Sequence, residues 1–150
     1  MGLTAREEQL SLCIGGILHD IGKTKLPLEL LNKKAPLTAK EKELTKSHVT
    51  IGVDMLLKAN CDVPFTTIII TSQHHEQVNG SGYPEGLQGK GFHHLGRMAS
   101  IVDGFSALTD TRTYRPALPK EVALRKMLDS EGVYDYHLLK EFRDIVVNLT

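Results

Sequence analysis

Six residues with metal-binding side chains, His19-Asp20, His48, His74-His75 and Asp103, are the positions of this 150-residue sequence best suited to chemistry. Imidazoles and carboxylates without thiolates suit first-row transition ions, and an adjacent His-Asp pair lets one carboxylate bridge two of them. Two such ions lower the pKa of a shared water and polarise a phosphoryl oxygen, which is the requirement of metal-assisted hydrolysis. A single histidine such as His48 is more often a core or surface residue than a ligand. Asp103 is harder to place that way. It is flanked by Ile101, Val102 and Phe105, and a carboxylate on an apolar helix is costly to bury unless it is paired, hydrogen-bonded or on a metal. The same holds for Asp20. His93-His94 has no carboxylate nearby and reads as solvent-exposed, and His137 as structural or exposed.

The elements that must position these residues read as helices. Thr4 and Glu7 form a capping-box pattern, and Leu10, Ile14, Ile17, Leu18 and Ile21 follow at helical spacing until Gly22, placing His19 and Asp20 in the last turn of a buried helix. A linker with Pro27 and Pro36 precedes a second capping pattern at Thr38 and Glu41. His48 then opens the stripe Val49, Val53, Leu56 and Leu57. The β-branched run from Thr66 to Thr71 has strand propensity but no partner strand, so it reads as a buried helix. From Val78 to Gly96, Pro84 and six glycines (Gly80, Gly82, Gly86, Gly89, Gly91, Gly96) mark a loop of the length reserved for function. Met98, Ile101, Val102, Phe105 and Leu108 define a helix that presents Asp103. Pro119 starts another through Leu128, and Asp135 caps a last one with the stripe Leu138, Leu139, Phe142, Ile145, Val146 and Leu149. The fold class is all-α, in one domain.

Eighteen basic and eighteen acidic residues leave no net charge, so no field holds nucleic acid or an anionic membrane non-specifically. An anionic substrate has to be caught locally. Cys13 and Cys61 read as buried, inert thiols of a reducing cytosol. No stretch has the length to span a bilayer, and the N-terminus carries no signal-peptide pattern.

The ordered set His19-Asp20-Ile21-Gly22-Lys23, His48, His74-His75-Glu76, Asn79-Gly80-Ser81-Gly82-Tyr83-Pro84-Glu85-Gly86-Leu87, Ile101-Val102-Asp103 and Leu108-Thr109-Asp110-Thr111-Arg112-Thr113-Tyr114-Arg115 resembles the HD-GYP domain. The match runs from about Leu12 to Leu128, and the glycine-tyrosine-proline block is its specific part. The resemblance implies a helical bundle like that of HD domains and hydrolysis of cyclic di-GMP, or a related cyclic dinucleotide, in bacterial signalling. Cyclic di-GMP would open to linear pGpG or go on to GMP. It further implies two or three divalent ions, iron or manganese first and nickel or zinc also accepted, held by His19, Asp20, His48, His74, His75 and Asp103. Asp20 would bridge. Lys23 matches the catalytic lysine at the scissile phosphate, Arg112 and Arg115 the pair that grips phosphate, and Tyr83, with Gly82 and Pro84, the pocket wall. A cytoplasmic setting, diguanylate cyclase (GGDEF) partners and a homodimer belong to the same expectation.

Departures carry weight too. The resemblance implies an upstream helix bearing a Glu and a His four apart, whereas the eighteen residues before His19 hold Glu7 and Glu8 but no histidine. The chain therefore reads as lacking one or more N-terminal helices. Val49 stands where proline is common, Asn79 where aspartate is, and Arg115 where many relatives have lysine, which keeps charge but changes geometry. The alternative function is a non-catalytic signalling module that binds the nucleotide or docks a partner.

Overall fold

The computed structural model describes residues 5–111 and 116–148, and these contain helices and turns but no strand. Eight α-helices follow in order: α1 (Ala5–Leu18), α2 (Leu28–Leu31), α3 (Ala39–Lys46), α4 (His48–Leu57), α5 (Phe65–Gln73), α6 (His94–Thr109), α7 (Lys120–Leu128) and α8 (Tyr136–Asn148). A 3-10 turn at Ile21–Lys25 links α1 to α2, and a shorter one at Gly89–Gly91 precedes α6. Thr4 of the first capping pattern lies outside the described residues.

Helix α5 is the hub, packed against α1, α4 and α6. Its β-branched run is helical because both flanks are covered: Thr67, Ile70 and Thr71 are buried, and tertiary packing outweighs the residues' strand preference. On the far side of α6, Ile101, Met127 and Leu139 form a core bordered by Phe105, Leu108, Tyr134 and Phe142, which ties α7 and α8 to the body. The capping expectations hold at two ends. Thr38 and Glu41 make a reciprocal box at α3, and Asp135 Oδ1 accepts the N–H groups of His137 (3.1 Å) and Leu138 (3.3 Å) at α8.

Several expectations are corrected. Helix α1 stops at Leu18, so His19 and Asp20 lie beyond it rather than in its last turn. Its inward face is only partly the apolar stripe: Ile14 and Leu18 are half-buried, but Leu10 and Ile17 are 60% and 78% exposed, while Ser11 and Gly15 are buried. The reason is close approach to α5, where a side chain at Gly15 would collide with Ile70. Cys13 and Cys61 are both exposed. The glycine-rich segment also ends early, because Gly96 sits buried in the first turn of α6 against Gln73 and Phe92. In α8, Ile145 is 58% exposed, and Leu149 lies outside the described residues. His93, His94 and His137 are exposed as read, and His93 Nδ1 additionally accepts the Leu95 N–H to cap α6.

Candidate metal centre

The site forms where the ends of three elements meet. His19 and Asp20 follow α1, His48 opens α4, and His74-His75 follow α5. The Ile21–Lys25 turn reaches α4 so closely that a Cβ on Gly22 would overlap the His48 carbonyl, and that carbonyl is backbone. A glycine is required here to bring Asp20 beside His48.

Asp20, His48, His74 and His75 each offer a ligand atom, all within 4.8 Å of one another. His48 and His74 point the same way for the same reason. His48 Nδ1 lies 2.5 Å from the Thr45 carbonyl and His74 Nδ1 2.9 Å from the Thr71 carbonyl. Those contacts place the ring proton on Nδ1 and turn the Nε2 lone pairs inward, the arrangement that prepares histidine for a metal. The two Nε2 atoms face each other at 3.4 Å. Asp20 Oδ1 lies 3.2 Å from His48 Nε2 and 3.7 Å from His74 Nε2. It is nonetheless a buried oxygen without a hydrogen-bond partner. An orphaned carboxylate oxygen facing two inward lone pairs is costly as a purely protein arrangement and fits a divalent cation.

The other carboxylate oxygen of Asp20 faces a second set of groups. Oδ2 is 3.3 Å from His19 Nε2 and 2.5 Å from Lys23 Nζ. Asp103, half-buried on α6, lies 3.8 Å from His19 Nε2 through Oδ1 and 3.7 Å from His75 Nδ1 through Oδ2. The six residues singled out from the sequence thus converge. Lys23, expected at a phosphate, rests on Asp20. Arg112 and Arg115 lie outside the described residues.

The electrostatics follow from this crowding. Burial pushes the Asp20 carboxyl up, but the groups around it, His19 first, then His48 and His74 whenever a proton rather than a metal sits on Nε2, and Lys23, outweigh it and hold the group far below the usual carboxylate range. His19 is raised, chiefly by its hydrogen bond to Asp20 against the opposing effect of burial. His75 is driven down to about 2 by burial first and then by neighbouring His74 and His48, so its ring is neutral and available for coordination.

The glycine-rich loop closes over this cluster. Tyr83 stacks on the His75 ring, with centroids 4.7 Å apart and planes 28° from parallel, and its backbone N–H bonds the His75 carbonyl at 3.2 Å. Burial, then the Asp103 and Asp20 charges, raise the Tyr83 phenol, which keeps it a hydrogen-bond donor. Gly82 packs against the backbone of Glu76 and Gln77, where a side chain would not fit. Pro84 follows through a cis peptide bond on the exposed side of the loop. Lys46, to which the sequence reading assigned no role, sets its Nζ 5.4 Å from the centre of the Tyr83 ring. Beside His19 and Asp103, a cavity of about 370 Å³ opens between α1, α5 and α6, with Leu12, Ile70, Leu95 and Met98 among its walls.

Comparison with known proteins shows the family. Residues 2–138 match the HD domain family, and the chain belongs to it. That is the superfamily implied by the HD-GYP resemblance. The chain is 34% identical over 129 residues to a cyclic di-GMP phosphodiesterase of Pseudomonas aeruginosa, covering 86% of this chain and 31% of that protein. It is 34% identical over 134 residues to a cyclic di-GMP phosphodiesterase of Thermotoga maritima, covering 89% and 36%. A 3'3'-cGAMP-specific phosphodiesterase of Vibrio cholerae is 34% identical over 115 residues, covering 77% and 22%. The chain therefore spans about a third or less of the length of these relatives. Among the described residues, no helix is long and apolar enough to cross a membrane.

Proposed function

We propose that this chain is the catalytic domain of a metal-dependent phosphodiesterase of cyclic dinucleotides, with cyclic di-GMP as substrate and pGpG or GMP as product. The observation that carries the reading is Asp20, whose Oδ1 faces His48 and His74 while its Oδ2 faces His19. In this reading Asp20, His48, His74 and His75 hold one divalent ion, and His19, Asp20 and Asp103 hold a second, iron or manganese in a bacterial cytoplasm. Bound ions supply activation of a water and charge at the scissile phosphate.

The remaining work falls to the chain's own residues. Lys23 is within reach of the same centre and leaves Asp20 Oδ2 for the phosphate as substrate enters, offsetting charge that builds on the phosphoryl oxygens. Tyr83 donates its phenol proton to a phosphate oxygen and offers its ring edge to a base. Arg112 and Arg115 take the role the resemblance implies for them, the basic pair that grips phosphate. A diguanylate cyclase as partner, and a second copy of the chain, complete the proposal.

Tyr83 gives the first test. Replacing it by alanine removes a ring edge and a hydrogen-bond donor from the nucleotide, so KM for cyclic di-GMP is expected to rise roughly tenfold, as the loss of one hydrogen bond to a charged group implies. The melting temperature should fall by only a few degrees. A large loss of stability with KM unchanged would make the tyrosine a packing residue. Binding of the nucleotide without turnover, in a metal-replete protein, would favour the non-catalytic module.

A further inference from the structure

Glu76 follows directly on the histidine pair, yet its side chain does not join the metal cluster. It is 1% exposed. Its Oε1 accepts the backbone N–H groups of Glu85 (2.7 Å) and Gly86 (3.2 Å), and its Oε2 that of Leu87 (2.9 Å). Three consecutive amides, nine to eleven residues further along the chain, close on one buried carboxylate.

The first half of the loop is held elsewhere. Val78 and Asn79 donate to the carbonyls of Val133 (3.1 Å) and Gly132 (2.8 Å), ahead of α8. Gly82 rides on the backbone of Glu76 and Gln77, and Tyr83 N–H reaches the His75 carbonyl. That single bond fixes where Tyr83 leaves the chain. The direction of its ring depends on the path of the residues that follow, and those residues are the ones bound to Glu76. We infer that Glu76 is a positioning residue: by gathering the 85–87 amides it closes the loop and holds Tyr83 over His75, and so sets affinity for the cyclic dinucleotide. The consequence for affinity rests on the phosphodiesterase reading, whereas the placement of Tyr83 does not.

Carboxylate chemistry explains the residue type. Both oxygens of Glu accept, whereas Gln offers one acceptor and an NH₂ group that would confront an amide donor. Glu76→Gln keeps the volume and breaks part of the clasp. In the metal-free protein, amide exchange at Glu85, Gly86 and Leu87 should accelerate at least tenfold in the variant. The proton NMR cross-peaks between the Tyr83 and His75 rings should be lost. Unchanged exchange, or retained cross-peaks, would overturn the inference whatever the enzyme does.

The kinetic arm addresses the consequence. KM for cyclic di-GMP should rise by about the factor caused by Tyr83→Ala, roughly tenfold for a lost hydrogen bond to a charged group. Because Glu76 acts through Tyr83, adding Glu76→Gln to the Tyr83→Ala background should change KM no further, and metal content should stay at the wild-type level. A purely structural role would lower the melting temperature of both backgrounds and leave KM alone, and that result would also overturn the inference. A wild-type protein with no turnover would defeat the phosphodiesterase reading, while the exchange and cross-peak results still decide the placement of Tyr83. Should the Gln variant not fold, Glu76→Asp keeps both oxygens, shortens the reach by one methylene and permits the same comparisons.

Discussion

Asp20→Asn is expected to remove bound metal and to cut turnover of cyclic di-GMP by at least about a thousandfold, the equivalent of about 4 kcal/mol of transition-state stabilisation. Both carboxylate oxygens are engaged, one towards His48 and His74 and the other towards His19 and Lys23. Asparagine keeps one acceptor but turns an NH₂ group to the other side and removes the negative charge. The metal readout is independent of activity: elemental analysis of the purified variant should show the loss directly. In the absence of metal the variant should still fold but be somewhat less stable than the wild type, because the contacts with His19 and Lys23 that favour the ionised carboxylate are lost. Wild-type metal content in the variant would show that Asp20 is not a ligand.

The second large effect is expected from a residue that touches neither metal nor substrate. Gly22→Ala places a methyl group onto the His48 carbonyl and the Gly52 amide. Both are backbone groups of α4, so the collision is relieved only by moving the helix that begins with His48. Overpacking of this kind costs about 3 kcal/mol, at the upper end of the usual range, and a midpoint shift in urea at unchanged slope should report it. Metal affinity should fall with it, because the displaced helix takes His48 away from Asp20. Full stability with full metal content would mean that the turn packs less tightly than described.

Signals in the sequence are legible where they depend on local physics. Thr38 with Glu41 and Asp135 ahead of α8 cap their helices because a side-chain oxygen needs only the next few amides. The glycine density between Val78 and Gly91 marked an irregular segment for the same reason. The histidine and aspartate positions are legible as a set, because two doublets and two singlets of ligand type together leave little room for the bland use each would allow alone. What was hidden depended on contacts between distant parts of the chain. Helix α1 shows an apolar stripe at Leu10 and Ile17, but the face that α5 covers is Ser11 and Gly15, since small residues permit the closer approach. Glu76 carries no pattern of its own, for its three donors are drawn from the far end of the loop. Lys46 ends α3 two residues before His48 and pairs there with Glu43, a local i, i+3 contact, whereas its approach to the Tyr83 ring depends on the return of the distant loop.

The central claim is metal-dependent cleavage of a cyclic dinucleotide by this site, and hydrolysis of cyclic di-GMP in ¹⁸O-labelled water tests it most directly. The chain should be loaded with iron or manganese and assayed with and without a chelator. The expected product is pGpG or GMP carrying the label on its phosphate, with release abolished by chelation and by Asp20→Asn. Intact cyclic di-GMP after incubation with the metal-replete chain would contradict it.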